Sequence, residues 1–152
     1  MLKQYQRPKS LIKVAEVDPL VFLAGVKNLV SKIDIPLGQL NQSKVNYYRN
    51  KKMTVKTDCG SFVTKCVSLR YLCFLRSLVC SRCGIKGNVI FLEKYPNDTY
   101  PHANLYHRSS NGTLTLLTKD HIHPKSQGGL DRMDNLQTMC IVCNGLKADS
   151  LI

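Results

Sequence analysis

The segment from Leu117 to Asn144 holds most of the side chains in this sequence that could carry out chemistry. It contains an Asp-His pair, a second histidine, two asparagines and a cysteine pair, namely Asp120-His121, His123, Asn135, Asn144, Cys140 and Cys143. A histidine can act as a general base near neutral pH, and carboxylate and amide oxygens suit hard cations such as Mg²⁺ or Mn²⁺. Thiolates instead favour zinc. The segment therefore combines a candidate base with ligands for two chemically different metal sites.

Two Cys-x-x-Cys pairs, Cys80/Cys83 and Cys140/Cys143, predict a structural zinc site. Each two-residue spacing lets both sulfurs reach one ion, and two such pairs complete a tetrahedral four-thiolate shell with no position left open for catalysis. A redox dithiol is the alternative, but it does not explain why two pairs occur. The seven cysteines of the chain are an odd number, which fits poorly with a closed set of disulfides.

The order of these residues resembles that of the HNH endonucleases in the His-Me finger superfamily. Asp120-His121 is followed fourteen residues after His121 by Asn135, and nine residues later by Asn144, directly after Cys143. The positions between them also fit, with Pro124, Ser126, Gly128-Gly129 and Asn135-Leu136 where such motifs place a proline, a small residue, paired glycines and Asn-Leu. The resemblance covers residues 80–152 and departs from the family's name at Asn144, where many members have His. Such enzymes are frequent in phages and mobile elements.

This resemblance implies a ββα-metal unit that hydrolyses phosphodiester bonds in DNA. His121 would be the general base, Asp120 and Asn144 would hold one catalytic Mg²⁺ or Mn²⁺, and Asn135 would brace the loop through backbone hydrogen bonds. Hydrolysis of a phosphodiester needs a base to activate water and a cation to neutralise charge on the phosphorane and the departing oxygen. The residue types agree with these roles.

Positive charge along the chain predicts a nucleic-acid partner. The net charge is +12, and residues 44–86 carry ten Lys/Arg against one acid, while residues 87–152 carry six of each. Neutralising phosphates releases condensed counterions, so a polyanion is the natural partner of such a block. The candidate phosphate contacts are Lys147, which follows Asn144 on the same helical face, and Lys125, His123, Arg70 and Arg76. For His123, a polar loop residue or an auxiliary metal ligand remain alternatives.

Hydrophobic patterning predicts helices in the first half of the chain and short strands in the second. Together with the resemblance, this implies an α+β fold with a helical, basic DNA-binding and positioning region at residues 1–79 and a zinc-stabilised nuclease domain at residues 80–152. Asp18 and Pro19 begin a helix that runs through the apolar series ending at Val30. A short helix and a basic loop or strand are expected over residues 39–57, and a helix over residues 61–78 that buries Cys66 and Cys73. Short strands follow at 88–92, 103–106 and 113–118, the last two joined at Asn111-Gly112, and a helix spans 142–150.

The same composition limits the compartment and the partners. No apolar run is long enough for a membrane span, and Met1 to Lys13 lacks the apolar segment of a secretory signal, so a cytoplasmic protein without membrane contact is expected. One active site per chain implies either nicking or cleavage of both strands by a homodimer. The rival function is a zinc-stabilised nucleic-acid-binding module without cleavage activity.

Overall fold

The computed structural model describes residues 6–150 and has a five-stranded antiparallel sheet at its centre. The strands are β1 (Ile12–Val17), β4 (Val89–Lys94), β5 (His102–Arg108), β6 (Leu114–His121) and β7 (Leu136–Cys140), in the order β1-β4-β5-β6-β7. A separate two-stranded ribbon contains β2 (Lys52–Thr57) and β3 (Gly60–Lys65). The α-helices are α1 (Pro19–Val30), α2 (Gln42–Tyr48), α3 (Leu69–Arg76) and α4 (Ile141–Ser150). Mixed helices and antiparallel sheets confirm the α+β class in this general form.

Helix α1 begins where the sequence predicts. The Asp18 carboxylate accepts a hydrogen bond from Leu20 N at 2.8 Å, and Pro19 occupies the first helical position, where its missing N–H costs nothing. Helices α1 and α3 pack together, with Phe22 and Tyr71 in an edge-to-face contact at 5.1 Å between ring centroids. Both helices also contact the central sheet, and the main hydrophobic core lies between the helices and the sheet.

The turn between β5 and β6 also agrees with the prediction. Gly112 has a φ of +88°, which glycine adopts without the steric cost that other residues meet. The Asn111 side chain accepts a hydrogen bond from Thr113 N at 3.1 Å, as in an Asx turn. Asn111-Gly112 therefore connects two paired antiparallel strands, with Arg108 opposite Leu114.

The prediction of one helix over residues 61–78 is wrong in its first half. The chain turns at Gly60, whose φ is +118°, and continues as β3, with α3 beginning only after the Ser68 side chain caps Tyr71 N. Within β3 the buried Thr64 alternates with exposed neighbours, which is the period of a strand rather than of a helix. Cys66 and Cys73 are buried as expected.

The helical character of residues 1–79 is not confirmed, because this region also supplies β1, β2 and β3. Strand β1 joins the central sheet beside β4, with Glu16 opposite Phe91, and buries Ala15 and Val17. The sheet thus draws strands from both sides of the predicted boundary after residue 79, and that boundary remains a prediction. None of the helices within residues 6–150 combines the length and apolar composition of a membrane span.

Candidate functional site

A cleft of about 240 Å³ lies where β6 ends, beside α4. Strands β6 and β7 pair in register, with Asp120 opposite Gln137 and His121 opposite Leu136, and α4 follows β7 directly. This arrangement places two strands and one helix around a single opening. The residues lining it are Lys119, Asp120, His121, Pro124, Lys125, Asn144, Lys147 and Ala148. The structure therefore brings together five of the predicted site residues, separated by up to 27 positions in sequence.

Asp120 is largely buried, with 8% of its surface exposed, and its charge is compensated locally. Its Oδ2 accepts hydrogen bonds from Lys147 Nζ at 2.7 Å and from Gln137 Nε2 at 2.9 Å. Lys147 Nζ also donates to the backbone oxygen of His121. The Lys147 ammonium is thus a cation held directly against the carboxylate that the sequence predicts as a metal ligand.

His121 is held by Asp131, which the sequence reasoning did not identify. His121 Nε2 lies 2.6 Å from Asp131 Oδ1, and Lys125 Nζ donates to Asp131 Oδ2 at 2.9 Å. The hydrogen bond from His121, followed by that from Lys125, lowers the pKa of Asp131, so the carboxylate is charged at neutral pH. A carboxylate accepts the Nε2 proton and leaves the lone pair on Nδ1. In the sequence, Asp131 is simply an acidic residue ten positions after His121, and no characteristic spacing identifies it as a partner of that histidine.

Asn135 makes three hydrogen bonds to the backbone of the loop that follows β6. Its Nδ2 donates to His123 O at 3.1 Å and Leu130 O at 2.9 Å, and its Oδ1 accepts from His123 N at 2.8 Å. The His123 ring lies on this loop outside the cleft lining, with Nε2 2.8 Å from Gln127 O. The amide of Asn135 therefore ties both ends of the loop 123–130 together.

Asn144 lies in the first half of α4 and faces β6. Its Nδ2 lies 3.2 Å from Thr118 Oγ1, and Thr118 Oγ1 in turn donates to Met139 O at 2.8 Å. Thr118 accepts from the amide nitrogen, and Asn144 lines the cleft, so its carbonyl oxygen is the atom that could ligate a cation there. A carboxylate and an amide carbonyl are the oxygen donors that Mg²⁺ or Mn²⁺ takes, so the residues present fit such an ion.

The four cysteines of the two pairs meet at the start of α4. All four sulfur atoms lie within 4.8 Å of one another, and Cys83 Sγ is 3.8 Å from Cys140 Sγ. Cys80 and Cys83 lie on a tight turn closed by the bond from Cys80 N to Ile85 O, at 2.9 Å, whereas Cys140 ends β7 and Cys143 lies in α4. Four converging thiols could hold one zinc ion.

Three of the four thiols differ in how readily they lose a proton. Burial raises the pKa of Cys143 to about 12 and also raises that of Cys140. Burial acts in the same direction on Cys80, but backbone hydrogen bonds led by that from Cys140 outweigh it and lower the pKa to about 6. One thiolate is therefore accommodated readily, and further thiolates are disfavoured unless a metal balances their charge.

Arg70 and Arg76, for which phosphate contacts were predicted, donate hydrogen bonds to backbone carbonyls of this chain. Arg70 Nη2 donates to Ala103 O at 3.0 Å, and Arg76 Nη1 donates to Met133 O at 2.8 Å while Nη2 bonds Leu136 O. These carbonyls belong to residues distant in sequence, and a sequence pattern cannot anticipate which of them come near. Neither arginine lines the cleft.

Residues 80–150 match the family model of the HNH endonuclease. The matched segment includes both cysteine pairs and the whole lining of the cleft. No curated protein and no solved structure matches the chain significantly. The resemblance drawn from the sequence is confirmed for this part of the chain.

Proposed function

We propose that the protein is a metal-dependent DNA endonuclease that hydrolyses phosphodiester bonds, because residues 80–150 match the HNH endonuclease family model. The observation that carries the proposal is the single cleft lined by Asp120, His121 and Asn144, with Lys125 and Lys147 at the same opening. It offers a base, two oxygen ligands and two ammonium groups within one space. The net charge of +12 supports a polyanionic substrate.

His121 is the proposed general base, and Asp131 positions it. With the Nε2 proton held by Asp131 Oδ1, the lone pair on Nδ1 takes a proton from the attacking water. The imidazolium that forms is stabilised by the adjacent carboxylate, as in other base-carboxylate pairs. Asp131 thereby fixes both the tautomer and the direction of the ring, while Asn135 keeps the loop that carries Asp131 in place.

Asp120 and Asn144 are the proposed ligands of one Mg²⁺ or Mn²⁺. When bound, such an ion supplies neutralisation of negative charge on the phosphorane and the departing 3′ oxygen. Gln137 orients Asp120, and Thr118 orients Asn144, so both ligands are held by residues of the strand pair. Lys147 and Lys125 supply positive charge to the phosphate oxygens around the cleft.

The proposed zinc site is a structural frame for this catalytic unit. Cys80, Cys83, Cys140 and Cys143 would hold the zinc, and the ion would join the turn at Cys80–Cys83 to the start of α4, the helix that carries Asn144 and Lys147. Residues 1–79 are the proposed DNA-binding and positioning region, and residues 80–152 the nuclease domain. Residues 1–5 and 151–152 of these two regions lie outside the described part of the chain.

A zinc-stabilised nucleic-acid-binding module without cleavage is the second candidate, and one contact favours it. Lys147 Nζ already neutralises Asp120 at 2.7 Å. If this ion pair persists when nucleic acid binds, no divalent cation enters and the chain binds without cutting.

Supercoiled plasmid incubated with purified protein and Mg²⁺ distinguishes the two functions. Endonuclease activity gives nicked or linear plasmid, and His121→Ala abolishes the product while plasmid binding persists. His107→Ala is the matched control, because His107 lies on β5 with Nδ1 bound to Lys86 O, away from the cleft. Equal cleavage by wild type and His121→Ala would refute the assigned base. The ratio of nicked to linear product against protein concentration reports whether two copies cooperate.

A further inference from the structure

The ribbon formed by β2 and β3 (residues 52–65) has one anchored face and one open face. Directly paired residues share a face in an antiparallel ribbon. The inward pairs, Met53 with Thr64 and Val55 with Phe62, are buried or half-buried, and Met53 packs against Gly25 of α1. The outward pairs are all exposed, and they are Lys52 with Lys65, Thr54 with Val63, and Lys56 with Ser61.

The outward pairs of the ribbon include three lysines and no acidic residue. Lys52 and Lys65 are directly opposite each other, and like charges in that position destabilise a ribbon. Lys52 lies over the Tyr100 ring at 4.9 Å, which offsets part of this cost. None of Lys52, Lys56 and Lys65 forms an ion pair with any residue in the described range 6–150. The face is therefore complementary to a polyanion.

The chain on both sides of the ribbon is fastened to the loop that positions His121. Before the ribbon, Gln42 N donates to Asp131 O at 3.0 Å and Leu40 O accepts from Met133 N at 2.8 Å. After it, Arg76 of α3 donates to Met133 O. Hydrogen bonds therefore hold the chain before and after the ribbon, at residues 40–42 and at Arg76, against the loop that contains Asp131.

We propose that the outward face of the ribbon enters the major groove of duplex DNA and thereby sets where along the duplex the cleft cuts; this rests on the proposed nuclease function. Six paired residues at about 3.4 Å each make a ribbon about 20 Å long, and the B-form major groove, about 12 Å wide, admits a two-stranded ribbon. Lysines at both ends of the face contact phosphates, and Thr54 and Val63 lie between them toward the base edges. The major groove of A-form RNA is too narrow for this, so DNA is the favoured partner.

Binding of a fluorescein-labelled 40-base-pair DNA duplex of mixed sequence, without divalent metal, tests the charge. In Lys52→Ala/Lys56→Ala/Lys65→Ala, we expect affinity to fall at least tenfold and the slope of log K against log salt to decrease by about 3, one per phosphate contact. Lys27→Ala/Lys32→Ala/Lys86→Ala removes the same charge from exposed sites outside the ribbon and is the matched control. Equal losses in the two triple variants would overturn the proposal.

Groove occupancy is tested by filling one groove at a time. Glucosylated hydroxymethylcytosine, which projects into the major groove, should abolish the binding contributed by the ribbon, whereas netropsin in the minor groove should leave it unchanged. The opposite pattern, or tighter binding to an RNA duplex, refutes major-groove entry. If wild type cuts plasmid and the ribbon variant cuts the same sites at the same rate, the ribbon inference fails while the nuclease function stands. If wild type neither binds nor cuts DNA, the nuclease function itself fails.

Discussion

Replacing Asp131 with Asn should slow cleavage without unfolding the protein. The change keeps the shape of the side chain but removes the charge that faces His121 Nε2 at 2.6 Å. A hydrogen bond to a charged group contributes about 1.5–3 kcal/mol, and each 1.4 kcal/mol is a factor of ten in rate, which gives about 10- to 150-fold. Both side chains keep some contact with water, at 19% and 26% exposure, so we expect the lower end, about 10- to 30-fold.

Single-turnover cleavage of plasmid with enzyme in excess isolates this effect from binding. Loss of a negative charge near the cleft should leave DNA affinity unchanged or make it tighter. The substitution should therefore lower the rate constant for cleavage without weakening the binding of DNA. Asp134→Asn is the control, because it removes the same charge from the same loop. The Asp134 carboxylate pairs with Arg132 and does not contact His121. We expect it to cleave at the rate of wild type.

The positioning role of Asp131 would be refuted by a specific pair of results. If Asp131→Asn cleaves as fast as wild type across pH 6 to 9 while His121→Ala is inactive, the carboxylate does not orient the base. If Asp134→Asn slows cleavage as much as Asp131→Asn, the effect is one of loop charge alone.

Three further outcomes follow from the contacts described above. Elemental analysis of wild type should find one zinc per chain, and Cys143→Ser should lose it. Because structural zinc binding contributes to the folding free energy, this variant should also have a Tm lower by about 10 °C or more. A zinc-free wild type that is as stable as the zinc-bound protein would contradict this. Asn135→Ala removes three hydrogen bonds of about 1 kcal/mol each, so urea denaturation should show a free energy of unfolding that is lower by about 2–3 kcal/mol. An unchanged urea midpoint would show that these hydrogen bonds do not stabilise the loop. The hydrogen bonds from Arg108 and then Lys13 lower the pKa of Glu16 from about 4.5 to about 2. This ion pair contributes about 1 kcal/mol or less to stability, because it is exposed, and the contribution is present above pH 4.5 and lost as the pH falls toward 2. Glu16→Gln should therefore be as stable as wild type at pH 2 and less stable at pH 7. An equal difference in stability at the two pH values would contradict a contribution from the Glu16–Arg108 ion pair.

Features that depend on neighbouring residues were predictable from the sequence. The Asp18 cap, the Asn111-Gly112 turn and the cysteine spacing act over a few residues, where backbone geometry alone fixes the outcome. The strand-helix order around His121 and Asn144 followed from the resemblance, and the family model matches the same segment. Burial of Cys66 and Cys73 was also predicted, although Cys66 lies between β3 and α3 and not within one helix.

Only the tertiary structure decided which distant groups meet. Asp131 reaches His121 because the loop after β6 folds back under Asn135, and nothing in the spacing distinguishes Asp131 from Asp134. Packing of α3 beside the loop also gives Arg76 two backbone carbonyls, which the sequence did not predict. The sequence by itself determined the residue types that can do the chemistry and the local turns that carry them. The tertiary structure decided their partners, because hydrogen bonds between residues far apart in sequence depend on how the sheet and helices pack.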